Sequence, residues 1–505
     1  MKRTAYLEHI DTLVAAILGA IAVYMFTKYS GVGISPDSIM YASTATNLQA
    51  HGSLMTFNGT PLVFFPVFYP FFLAVVQFFS GVDPFAAGPA VNMGLFAAVI
   101  MTMGWLLQEQ TKPPRIYKWL VLSAVVLSPA LLEIYSFLWS ETLFILEVVL
   151  FIWAFQRYQQ KQTTGRLMMV ALIAAISCIT RYAGITLIGT GALIVLSDNR
   201  LSIRDKVKHI FMFGLGSVSL LVGNLILNSV NTGLSTGKRL PSVTSFTENL
   251  HYTGIVFCNW MGFNEGIASY AIATSAIILL SLLAVLTFKI VKGKQGIAEK
   301  LIIVFSLVYI LFIILLATFS RFERLNSRLL SPVFIPLLIS LTIWVPAAIK
   351  AIKSQVIKYA LAGLAVSLML LFNYAILKAD LQRYDDEMDY GVPGYSDDSW
   401  NHSPFAAFLK SRKKLFKPGV TVYTNADEAV YLFTGQSSKL VPHRYFKDDV
   451  HKFYTVKHYY YIWFKPLDNV ELINIKDIQK AHKLRRMHEL PDGAIYEYDA
   501  KNDHQ

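Results

Sequence analysis

Apolar runs of about 15 to 23 residues recur along the first three quarters of the chain and then stop. They fall at about 12–29, 85–107, 119–138, 142–155, 167–179, 183–197, 209–229, 269–291, 301–319, 329–346 and 359–377. A helix of about 20 apolar residues crosses a hydrocarbon core of about 30 Å, so the pattern predicts eleven membrane-spanning helices. A further apolar stretch, 62–80, is long enough to cross but has Pro61, Pro66 and Pro70 at its start. Proline removes a helical donor and crowds the preceding turn. The stretch is therefore expected to be interfacial or re-entrant, beginning and ending on one side of the membrane.

That choice fixes the parity of the chain. Lys2 and Arg3 precede the first run, which lacks a small-residue cleavage site and reads as an uncleaved helix with its start in the cytoplasm. With 28–84 as the first external loop, the basic loops at Lys112/Arg115/Lys118, Arg157/Lys161/Arg166, Arg200/Arg204/Lys206/Lys208, Lys289/Lys292/Lys294/Lys300 and Lys350/Lys353/Lys358 all fall inside. The membrane domain thus covers 1–378, followed by an acidic, polar linker at 379–398. Residues 399–505 read as a small extracytoplasmic α/β domain, with strands at 419–424, 459–464 and 494–498. Helices are expected there at 425–435, with Asn425 as N-cap and Gly435 beyond the end, and at 475–488. The predicted fold class is a polytopic α-helical membrane protein with a C-terminal α/β domain.

Composition supports this reading and excludes others. At 505 residues, 54% hydrophobic and 15% charged, the chain is too apolar for an ordinary soluble protein of its size. Its net charge of +12 is spread between the apolar runs rather than gathered on one face, so no nucleic-acid partner is expected. Cys178 and Cys258 provide neither a disulfide framework nor a zinc spacing. The chain carries no P-loop, HExxH or GxSxG motif.

Candidate chemistry lies in ionisable residues at the outer ends of the spans, where the positive-inside rule does not call for them. Ser35, Pro36 and Asp37 have the pattern of an N-cap, a first helical residue and a first-turn acid. The plain reading of Asp37 is a helix-start acid; beside the headgroups and under aromatic residues it also suits a general base. Glu141 opens a span, where a carboxylate beside hydrocarbon needs a partner. Arg181 and Tyr182 lie in a short external turn. Arg321, Arg324 and Arg328 are outside, and helical spacing would put them on one face. Arginine grips phosphate with two parallel donors, so a lipid phosphate suits them; headgroup snorkelling is the plain alternative. Lys238 and Arg239 share a longer outer loop, 231–268, with His251, Asn259 and Trp260.

Taken in order, these residues resemble a known family. An external Asp follows the first span, with a Tyr four residues on (Asp37, Tyr41). An Asn-Leu…His-Gly segment follows at 46–52, and a Pro- and aromatic-rich segment containing Tyr69 at 65–74. Then come an acid opening a later span (Glu141), an external-turn Arg (Arg181), and an Arg before Leu-Leu and Pro (Arg328 to Pro332). The chain resembles the GT-C-type membrane glycosyltransferases, in particular the protein O-mannosyltransferase and lipid A aminoarabinose transferase group, over about residues 1–377.

The resemblance implies inverting transfer of a sugar from a polyprenyl-phosphate donor to a lipid, glycan or protein acceptor at the outer face of a bacterial inner (plasma) membrane. It implies Asp37 as catalytic base, with Tyr41, Tyr69, Glu141, Arg181, Tyr182, Arg321, Arg324 and Arg328 around donor and acceptor. Membrane lipids are the surrounding partners. Where protein mannosyltransferases have an Asp-Glu pair, this chain has Asp37-Ser38. A divalent metal is left open, since metal use varies across the family and no ligand cluster is legible in this chain. A transporter or flippase of lipid-linked saccharide is the alternative function.

Overall fold

The computed structural model describes residues 9–502 except 112–113, 264–268, 293–296, 322, 413–414 and 468. Lys2, Arg3, Lys112 and Lys294 of the expected inside loops lie outside the described residues.

Sixteen helices form the membrane domain among the described residues: α1 (Ile10–Thr27), α2 (Pro36–His51), α3 (Phe68–Ser80), α4 (Pro84–Thr111), α5 (Arg115–Val126), α6 (Pro129–Ser136), α7 (Glu141–Gln160), α8 (Thr164–Thr180), α9 (Ile185–Leu196), α10 (Ile203–Thr232), α11 (Phe246–Trp260), α12 (Ala271–Lys292), α13 (Ile297–Phe319), α14 (Ser327–Leu330), α15 (Phe334–Lys350) and α16 (Gln355–Tyr390). Each of the eleven expected spans falls on one of these helices or on a consecutive pair. Among the described residues, seven stretches have the length and hydropathy to cross a membrane: α1, α4, α10, α12, α13, α14 to α15, and α16. The run at 119–138 is a pair, α5 and α6, bent by 44°. The bend falls at Leu127–Ser128, where Ser128 caps α6 and Pro129 occupies its first position. The runs at 167–179 and 183–197 are shorter apolar helices, and α7 carries Glu141, Glu147 and Arg157.

The proline-bearing stretch behaves as its prolines dictate. Only 68–80 is helical, and α3 at 13 residues is too short for a full crossing. In the membrane domain, helix α11 was not legible: it lies inside the expected outer loop 231–268, opened by a Ser245–Glu248 capping box. Its face packs so closely on α12 that a Cβ at Gly254 would lie 1.8 Å from the Ala271 carbonyl oxygen.

The expected linker is largely helix. The span α16 runs on to Tyr390, with Arg383 paired to Glu387 one turn later at 2.6 Å. At 36 residues it is about 54 Å long, well beyond a hydrocarbon core.

The C-terminal domain comprises α17 (Asp398–Asn401), α18 (Pro404–Ser411), β1 (Thr421–Thr424), α19 (Asp427–Thr434), β2 (Lys439–Leu440), α20 (Lys447–Tyr454), β3 (His458–Phe464), α21 (Ile475–Ala481), β4 (Arg485–Leu490) and β5 (Gly493–Asp499). The sheet order is β2-β1-β3-β5-β4, with β1 parallel to β2 and β3 and the β3–β5–β4 side antiparallel. Two expectations are corrected here. The stretch 475–488 is a helix only to Ala481 and then a strand, because β5 supplies a pairing edge at Arg485↔Glu497. Ala426, not Asn425, is the N-cap of α19. The Asn425 side chain instead donates to the Phe464 and Leu467 carbonyls and accepts from the Phe464 N–H, tying β1 to β3.

Candidate active site

Local sequence brings the start of α2 against the start of α7. Gly33 N–H donates to the Ser136 carbonyl at 2.8 Å, and Leu138 N–H donates back to Gly33. From α4, the fully buried Asn92 donates to the Tyr135 and Phe137 carbonyls at 2.9 and 2.8 Å, fixing the same segment from behind. Ser35 and Ser38 form a capping box at the start of α2, with Pro36 at its first position. Trp139 Nε1 donates to the Ser35 hydroxyl at 2.8 Å, so the helix start carrying Asp37 is tied to the segment carrying Glu141.

Arg328 arrives from the far side. Asn326 caps α14 by accepting from Leu329 N–H, which places Arg328 in a first helical turn rather than on a continuous helix with Arg321. Arg328 Nε donates to Glu141 Oε1 at 2.5 Å and Nη2 to Asp37 Oδ2 at 2.5 Å. Its guanidinium lies 4.3 Å over the Trp139 ring. Nη1 faces Glu323 at 3.9 Å.

Arg181 completes the row from the turn between α8 and α9. Its Nη1 lies 2.6 Å from Glu141 Oε2 and donates to Ser140 Oγ at 2.9 Å; Ser140 Oγ is in turn 3.2 Å from the Tyr41 hydroxyl. The turn is tight because Gly184 packs on the backbone of Ser177, where a Cβ would meet the carbonyl carbon at 2.4 Å. Charges therefore alternate along the row Asp37, Arg328, Glu141, Arg181. The Glu141 side chain is 1% exposed and that of Asp37 26%, so Asp37 is the carboxylate of the two that an incoming molecule can reach.

Not all predicted residues join this row. Tyr69 stands behind Tyr41, ring centroids 5.0 Å apart, and is fully buried. Tyr182 points the other way, donating to the Val63 carbonyl and accepting from Asn228, so it pins the first external loop. The expected one-face cluster of Arg321, Arg324 and Arg328 is not formed, because the backbone at 323–326 is not helical. Arg321 reaches the C-terminal domain, 3.4 Å from Glu471 and 4.5 Å over the Tyr445 ring. Arg324 sits 5.6 Å over Tyr252. Lys238 also leaves the site and pairs with Asp449 at 2.6 Å.

Sequence reasoning missed the roof. Helix α19 packs over α2, Phe57 stacks on Tyr431 at 5.0 Å, and Ser437 Oγ donates to the Phe57 carbonyl. This brings Asp427 and Glu428 above the row, with Glu428 in electrostatic reach of Asp37. Burial, then the charge of Asp427, pushes the Glu428 carboxyl up to about 8. In sequence these two acids had only the look of an ordinary first helical turn. Trp139, beside Glu141, was the one local hint of a cation seat.

Among the described residues no three His, Cys, Asp or Glu side chains converge as a metal site. Both carboxylates of the row already face guanidinium groups, a donor set unlike the oxygen cage that a hard cation takes.

No protein-family model matches the chain, and no curated protein matches it in sequence. Solved structures do share its fold. ArnT from Cupriavidus metallidurans in the apo state aligns with a TM-score of 0.60 and 11% identity, covering 99% of this chain and 99% of that one. The same protein bound to undecaprenyl phosphate aligns at 0.59 and 10%, over 98% of both chains. The archaeal oligosaccharyltransferase AglB from Archaeoglobus fulgidus, in complex with an inhibitory peptide and a dolichol-phosphate, aligns at 0.55 and 10%, over 91% of this chain and 70% of that one. With its apolar spans and small C-terminal sheet domain, the chain is an integral membrane protein with the GT-C glycosyltransferase fold.

Proposed function

We propose that the protein transfers a sugar from a polyprenyl-phosphate-linked donor to an acceptor at the outer face of a bacterial inner membrane, with inversion and with Asp37 as general base. The observation that carries this is the Asp37–Arg328–Glu141–Arg181 row, which sets a reachable carboxylate beside two guanidiniums. Two of the structures with this fold hold undecaprenyl phosphate and dolichol-phosphate, which supports a lipid phosphate as the carrier.

The chemistry follows from charge. An acceptor hydroxyl or amine loses its proton to Asp37 as its lone pair attacks the anomeric carbon. The bond from that carbon to the phosphate oxygen breaks, and its electron pair leaves with the polyprenyl phosphate. A single displacement inverts the anomeric centre. Charge growing on the phosphate is met by Arg328 and Arg181, whose positions are set before reaction by the buried Glu141. Glu141 takes the Nε edge of Arg328, while among the described residues Nη1 has only Glu323 at 3.9 Å, so a phosphate oxygen has a donor to bind. The C-terminal domain is outside in this reading, roofing the reaction with α19.

The test is a purified, full-length protein in proteoliposomes supplied with polyprenyl-phosphate sugars. Transfer predicts release of free polyprenyl phosphate together with a glycosylated acceptor. A flippase instead predicts donor moved across the bilayer with its sugar–phosphate bond intact. Translocation without bond cleavage overturns the transferase reading.

A further inference from the structure

A second cavity, of about 500 Å³, opens between α6 and α16 and is separate from the row at Asp37. The stripe of α16 that lines it runs from Phe372 and Ile376 to Arg383, Glu387 and Tyr390. At 1.5 Å per residue, Phe372 and Glu387 stand about 22 Å apart along the helix axis. Along α16 the lining is therefore apolar at the membrane end, at Phe372 and Ile376, and polar at the outer end, at Arg383 and Glu387. That is the profile of one lipid standing upright, tail below and head above.

The polar end selects the head. Arg383 is the cation there, with three of its five N–H donors engaged: Nε on Glu387 Oε1 at 2.6 Å, Nη1 on the Pro129 carbonyl at 3.1 Å and Nη2 on Ser136 Oγ at 2.8 Å. Its face covers the Phe26 ring at 4.7 Å. The lining also leaves an acceptor open. Glu387 is 6% exposed, and its Oε2 has no hydrogen-bond partner among the described residues. Glu133 and Asp386 line the same end. A buried carboxylate oxygen without a partner is costly; three carboxyl groups against one guanidinium suit an ammonium, and the two remaining Arg383 N–H donors suit the phosphodiester that adjoins it in a phospholipid head.

The wall towards the row at Asp37 is thin. Phe137 lines the cavity and stacks on Trp139 at 4.0 Å, and Trp139 is the ring beneath Arg328. Ser327, bonded to Trp260 Nε1 at 3.0 Å, lines the cavity and immediately precedes Arg328.

We propose that this cavity seats a membrane lipid with an ammonium-bearing head group beside the Asp37 row.

The test uses full-length protein in detergent, titrated with dioleoyl phosphatidylethanolamine or dioleoyl phosphatidylglycerol, with retained lipid counted by native mass spectrometry. The wild type retains the ethanolamine lipid in preference. Glu387→Gln weakens that retention about tenfold, the scale of one lost charge-assisted contact. Ile376→Trp fills the apolar end and lowers retention of both lipids, which guards against misfolding around Glu387. Asp37→Asn leaves retention as in the wild type. Equal retention of the two lipids by the wild type overturns the proposal, and so does a preference that survives both cavity substitutions. Because no transfer is read, the outcome does not depend on the transferase reading.

Discussion

Two guanidiniums, Arg181 and Arg328, meet on one carboxylate that solvent barely reaches. Removing one member of such a buried set strands the others. Glu141→Gln is expected to lower stability by on the order of 3–5 kcal/mol, read as a drop in the thermal midpoint of the detergent-purified protein. Arg328→Lys keeps the charge but cannot engage Glu141, Asp37 and a phosphate through one planar fork. It should cut transfer by roughly 100-fold, the scale of a lost transition-state donor. Arg324→Ala, whose side chain faces Tyr252, should leave transfer within about twofold of wild type, consistent with a surface substitution. The members of the row were legible because each is an ionisable residue in apolar text, where a charge needs a partner. The separate fates of Arg321 and Arg324 were not. Their grouping with Arg328 assumed helical spacing, and the Asn326 cap starts the helix only after them.

At the scale of elements, α19 couples the outer domain to the site through a titrating group. The folded Glu428 holds its proton up to about 8, against an ordinary value of 4.5. Between those two pH values the folded chain binds more proton than the unfolded one at this carboxyl, so stability falls as pH rises through that window. The thermal midpoint should therefore decline from pH 5 to pH 8.5 in part through Glu428, and Glu428→Gln should flatten that decline. A slope unchanged in the variant would remove Glu428 from the account. The long apolar helices were readable from periodicity and length alone. Helix α11 was not, since its polar residues made 231–268 look like loop; its burial depends on α12, which sequence does not place. Strand β4 was read as helix for the same reason, its edge partner being distant in sequence.

For the whole molecule, the fold leaves one row of charges between a helical membrane domain and a roofing α/β domain. Arg321 with Glu471 and Lys238 with Asp449 join the two on one flank, and Phe57 with Tyr431 on another. The topology proposed for this arrangement puts the turn between α3 and α4 outside. A cysteine at that turn, Asp83→Cys, should react with a membrane-impermeant reagent added to intact cells; labelling only after the cytoplasmic face is exposed would break the parity of 62–80. The fold was legible from its apolar runs and scattered outer charges, whereas the roof was hidden because α19 meets α2 only through tertiary packing. The most direct test of the central claim is the transfer rate of Asp37→Asn in proteoliposomes, measured on protein shown to insert and melt like the wild type. Loss of transfer by at least about 100-fold, in the range of a lost general base, is the predicted result; transfer at the wild-type rate contradicts it.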